Sequence, residues 1–185
     1  MLVVVAAFVV SSAQALPDAR PPSSLFRALL TTGIPASSLP RGFSSARIVS
    51  TSTGGKAKRY HVLGALLIFV KVANGAAEVV YGVFPTAGDA VDAALPFPSL
   101  PTKTSIRRPL PSSLPGPGEI TIEPVTERLL GKQVTTWFTG VEFVDGNVVV
   151  YARVGMASST AHGDIPSATR LAQFALEHLR AVRES

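Results

Sequence analysis

Ser158, Ser159, Thr160, His162 and Asp164 fall within seven residues and offer hydroxyls, an imidazole and a carboxylate. Those are the parts of a nucleophilic hydrolase, in which the acid orients the base and the base activates the hydroxyl. Such a triad draws its members from separately held elements, whereas these share one loop. Asp164 also stands just ahead of a helical pattern, where a carboxylate caps exposed backbone N–H groups. Ser159, His162 and Asp164 are thus the candidates a small extracytoplasmic hydrolase would use. None is assigned as catalytic, and an enzyme is the lesser reading.

Other chemistries find less. His61, His162 and His178 have no partners at ligand spacing and the chain has no cysteine, so no metal site and no cofactor are expected. Asp89 and Asp92 share a helical side, but acids at a helix start answer the dipole without catalysis. Glu119, Glu123 and Glu127 come with no cleft. Gly54-Gly55-Lys56 lacks the spacing of a phosphate loop. Lys56, Lys58 and Arg59 nevertheless cluster beside those glycines and are candidates for holding an anion or an acidic head group.

Trp137 and Phe138 are adjacent in a strand pattern, so they face opposite sides of a sheet. One joins the core. The other, with Tyr151, is a candidate ligand or protein contact.

The elements that would position these residues follow from period and punctuation. Ser23 and Ser24 cap a short helix carrying Leu25, Leu29 and Leu30. Arg47–Ser50 and Tyr60–Lys71 read as strands, and Asn74-Gly75 as a hairpin turn into a strand over Glu78–Phe84. Thr86 caps a helix with Ala87, Val91 and Ala94 on one side. Glu119–Ile122 reads as a strand and Pro124–Leu130 as a helical turn. Val134–Val144, a turn at Asp145-Gly146 and Asn147–Val154 form a second hairpin. A final helix, capped by Asp164 or Ser167, repeats Ala168, Leu171, Ala172, Ala175, Leu179 and Val182 at intervals of three and four.

These elements predict an α+β fold: an antiparallel sheet with helices packed on one face. Val79–Phe84 resembles Val149–Val154 at an offset of 70, which suggests an internal ββα duplication. The half-units span about 46–95 and 119–183. Seven prolines between Pro96 and Pro117 exclude a regular helix or central strand there. The 96–118 segment is read as a strap anchored by Leu100, Ile106 and Leu110, inside a single domain over 16–185.

Leu2–Val10 is uniformly apolar and leads to Ala13-Gln14-Ala15, the pattern of a signal peptide cleaved after Ala15. The expected location is extracytoplasmic, secreted or periplasmic. Beyond it the longest apolar run is Val62–Val70, well short of the roughly 20 residues a membrane helix needs, so no transmembrane anchor is expected after cleavage. The net charge of +5 is uneven: residues 1–77 hold eight basic groups against Asp18 alone, and 78–185 hold nine against eleven acids. Basic and aromatic residues do not interleave and no recognition helix is present, so nucleic acid is not an expected partner. The function that remains is a small exported binding or interaction protein. Its partner is a protein or a small amphipathic or anionic ligand, and a homodimer or an assembly accessory role is the further alternative.

Overall fold

In the computed structural model, the described residues are 22–32, 36–52, 62–72, 75–94, 105–129, 132–156 and 163–185. They form one seven-stranded antiparallel sheet with three helices, as the α+β reading expects. The strands are β1 (Phe43–Ser52), β2 (Gly64–Val72), β3 (Gly75–Val83), β4 (Ile106–Pro109), β5 (Gly118–Leu129), β6 (Lys132–Asp145) and β7 (Val148–Met156). Their order across the sheet is β1-β2-β3-β7-β6-β5-β4. The two meanders meet where β3 pairs with β7, from Gly75 opposite Met156 to Val83 opposite Val148.

The helices are α1 (Pro22–Thr31), α2 (Ala87–Ala94) and α3 (Ile165–Glu184). α3 starts where Asp164 Oδ1 accepts the Ser167 N–H at 3.0 Å, with Pro166 in the first turn. α2 starts at Thr86, whose Oγ1 accepts the Asp89 N–H at 3.1 Å. Both caps stand where the sequence put them.

The first face of the sheet makes the main core. Val79, Tyr81, Val83, Val141, Phe143, Val148, Val150, Ala152 and Val154 alternate along their strands and are buried. They meet Leu25 and Leu29 of α1 and Leu171, Ala175, Leu179 and Val182 of α3. Tyr81 resolves its polar end by donating its hydroxyl to the Ala175 carbonyl at 3.1 Å. α3 is tied at its far end by Arg183, which pairs with the Asp145 carboxylate and donates to the Asp145 carbonyl at 2.8 Å.

α2 behaves differently. Ala90 and Ala93 pack with Phe84, Val144 and Val149, a cluster apart from the main core. Val144 and Val149 alternate with Phe143, Val148 and Val150, so α2 covers one end of the second face. The arrangement does not show the expected duplication. At an offset of 70, Tyr81 aligns with Tyr151, yet Tyr81 lies in the core and Tyr151 on the other face. A one-residue slip in register exchanges the faces of a strand.

Two further expectations change. Pro124–Leu130 is not a helical turn, because β5 runs unbroken from Gly118 to Leu129 against β6. Pro124 is tolerated because β4 pairs only with Glu119–Ile122, so the missing N–H falls where the outer neighbour has ended. The second hairpin turns at Gly146-Asn147, one residue later than read, with Gly146 at φ +57°. Within the Pro-rich segment, Leu110 packs on the core and Leu114 is buried, while Ile106 is 40% exposed on edge strand β4; Leu100 lies outside the described residues. Among the described residues no helix is long and apolar enough to cross a membrane.

Candidate functional site

Reading the second face by twos gives Phe138, Gly140 and Glu142 on β6, and Tyr151, Arg153 and Gly155 on β7. Glu119, Thr121 and Glu123 join from β5, Glu78 from β3 and Arg107 from β4. Register sets Glu142 opposite both Glu119 and Tyr151, and Arg153 opposite both Gly140 and Glu78.

Arg153 is the centre of this array. Its Nη1 lies 3.6 Å from Glu78 Oε1 and its Nη2 3.4 Å from Glu123 Oε1. The guanidinium carbon sits 3.8 Å from the centre of the Phe138 ring, a cation–π stack. The group is thus held flat between two acids and one ring. Among the described residues its buried Nε has no hydrogen-bond partner.

The two glycines make this packing possible. A Cβ on Gly155 would run into the Phe138 ring, which lies directly across the strand pair. A Cβ on Gly140 would lie 2.7 Å from the Tyr151 hydroxyl and 3.0 Å from Thr121 Oγ1. Both rings therefore lie down over bare backbone. Each aromatic is half-buried.

Burial sets the electrostatics. The Glu142 carboxyl is pushed up to about 8, first by loss of water and then by the Glu119 charge across the strand pair. At neutral pH it keeps its proton and is a hydrogen-bond donor. The Tyr151 hydroxyl is pushed up to about 12, chiefly by burial; Arg153 pulls it down while Glu123, Glu78 and Glu142 raise it. The neighbouring Glu119 is bridged by Arg107 at 3.6 Å.

Of the candidates read from the sequence, Phe138 and Tyr151 come together here. Trp137 points to the first face, opposite Pro124 and Met156 in register. Asp164 caps α3, and its own N–H donates to Thr139 Oγ1 at 2.9 Å. Ser159, His162, Lys56, Lys58 and Arg59 lie outside the described residues. Among the described residues, no three His, Cys, Asp or Glu side chains gather to hold a metal ion. Sequence reasoning missed Arg153, Glu78 and Glu142 and set Glu123 aside for want of a cleft, although stepping by two from Phe138 and Tyr151 reaches Glu142 and Arg153 directly.

The array holds charge and rings in fixed positions on the sheet. It presents the Arg153 guanidinium stacked on Phe138, the Tyr151 ring over Gly140 and one protonated carboxyl. No protein-family model matches this sequence, and no curated protein is detectably similar to it.

Proposed function

We propose that this chain is an exported, non-enzymatic binding protein that meets its partner through the β5–β6–β7 part of the second sheet face. The observation that carries the reading is the Arg153 array: a guanidinium stacked on Phe138 and braced by Glu78 and Glu123. Half-buried charge held in fixed geometry costs free energy that a plain solvated surface would not spend. Recognition is a function that repays it.

The partner chemistry follows from the charge. With Glu142 protonated, three carboxylates, Glu78, Glu119 and Glu123, face Arg107 and Arg153, an excess of one negative charge in this part of the face, and two aromatic rings lie among them. A protein surface bearing arginine or lysine suits such a patch, with its cations against the acids and its apolar stems on the rings.

An NMR titration of the isotopically labelled protein tests this. A tri-arginine peptide should shift the amides of Phe138, Gly140, Tyr151 and Arg153, and salt should weaken the response. A triglutamate peptide should not reproduce it. Equal responses to both peptides, or none at these residues, would remove the reading. Export has its own check: the mature protein recovered from a bacterial host should begin at Leu16.

A further inference from the structure

We propose that a second, separate site lies against α1 and takes a monomeric amphiphile with one alkyl chain and one anionic head. A cleft of about 310 Å³ is lined by Ser23, Phe26, Arg27 and Leu30 of α1 and by Leu63, which leads into β2. That volume is at the lower end for a small-molecule pocket. The inference is independent of the Arg153 face.

The four α1 residues recur at intervals of three and four, so they form one stripe along the helix. It differs from the stripe that carries Leu25 and Leu29 into the core. Phe26 and Leu30 are only half-buried, and Leu63 is 39% exposed, one of two large apolar side chains so exposed among the described residues. Leu63 is nevertheless fixed in place, because its N–H donates to the Val83 carbonyl at 2.8 Å. An apolar floor that is held open to water favours an apolar ligand.

The polar groups of the cleft choose the head. Arg27 is exposed, and among the described residues neither it nor the Ser23 hydroxyl has a side-chain partner. The sequence holds no Asp or Glu between Asp18 and Glu78, so nothing in the stretch that builds the cleft competes for the guanidinium. The first turn of α1 also has no acid, so the helix itself places no negative charge beside Ser23. An anion at Ser23 and Arg27 with its chain over Phe26, Leu30 and Leu63 satisfies all five residues.

Decyl phosphate, below its micellar concentration, is the probe. With the full chain it should bind and shift the amides of residues 23–30 and Leu63. Inorganic phosphate and decyltrimethylammonium should bind at least tenfold more weakly. Arg27→Gln should weaken decyl phosphate about tenfold and leave decanol unchanged, since a charge-assisted hydrogen bond is lost while the apolar floor remains. Arg27→Glu should reverse the preference toward the cationic probe. Arg27 is exposed, so both variants should keep the parental melting temperature, which a thermal melt verifies. Three results would overturn the proposal: no response at these residues, equal binding of cationic and anionic probes, or binding confined to phosphatidylglycerol vesicles with none to monomeric decyl phosphate.

Discussion

The two faces of the sheet are built from the same strands and obey opposite rules. On the first, aliphatic side chains from β3, β6 and β7 meet Leu and Ala of α1 and α3, and the polar Tyr81 hydroxyl is absorbed by a helix carbonyl. On the second, charged groups and rings lie over glycine, and α2 covers one end. The first face carries stability through area removed from water. The second carries paired charge in a half-dry setting, which contributes little to stability and much to geometry. Half-buried paired charge here occupies the alternate positions of strands whose other side chains build the core.

The sharpest contrast comes from truncating one ring on each face. Phe143 is fully buried, opposite Val150 and Gly118, so Phe143→Ala should cost about 3–5 kcal/mol through lost burial and a cavity. Phe138 is half-buried, and Phe138→Ala should cost about 1–2 kcal/mol, mainly its contact with Arg153. Urea unfolding of the two variants measures the gap. Equal costs would mean that the second face is a core like the first.

Gly155 is the next place to press. Gly155→Ala should destabilise by about 1–3 kcal/mol because its methyl collides with the Phe138 ring. In the double variant with Phe138→Ala the ring is gone, so the two costs should fall short of additivity. Strict additivity would show that the ring does not lie on Gly155.

How much of this contrast the sequence displays depends on the local signal. Period three-and-four repeats in α3 and the cap Thr86 are legible because each acts within a few residues, and the α3 cap narrows to Asp164 or Ser167, of which Asp164 takes the role. Pro124 misled the reading of β5: a proline suggests a break, and only the short reach of β4, a long-range fact, makes it acceptable in a strand. The Val-Val-Tyr likeness at an offset of 70 does not carry into matching faces for a related reason. Similar composition does not fix register, and a single residue decides which face a tyrosine occupies. Phe138 and Tyr151 were legible as strand aromatics. Their union through Arg153 needs the β6–β7 and β3–β7 pairings, which no local pattern encodes.

The two faces also respond to pH with opposite sign. Glu142 has its folded value raised from 4.5 to about 8, so between these limits the folded protein retains a proton that the unfolded chain releases. Stability from this group therefore falls as pH rises from 4.5 to 8 and stays low above it. Glu142→Gln should remove that slope. The variant should exceed the parent by on the order of 1–2 kcal/mol at pH 9 and match it near pH 4, a figure set below the full linkage value because the group is not wholly dry.

The smallest effect belongs to the first face, at His178. This imidazole packs 6.1 Å from the Tyr81 ring and 6.4 Å from Phe174, and among the described residues its buried Nε2 has no partner. Burial lowers its folded value below 6.5, so on acidification the unfolded chain takes up a proton that the folded protein resists. Stability from His178 is full above pH 6.5 and declines as pH falls below it, the reverse of Glu142. Just below pH 6.5 the two contributions oppose, and the parent should show a muted dependence there. His178→Leu should leave the Glu142 slope alone, and the pH dependence in that window should steepen toward greater stability in acid. Urea midpoints measured across pH 4.5–6.5 for the parent and both single variants separate the contributions. If His178→Leu tracks the parent throughout, the imidazole reaches water and is not part of the first-face core.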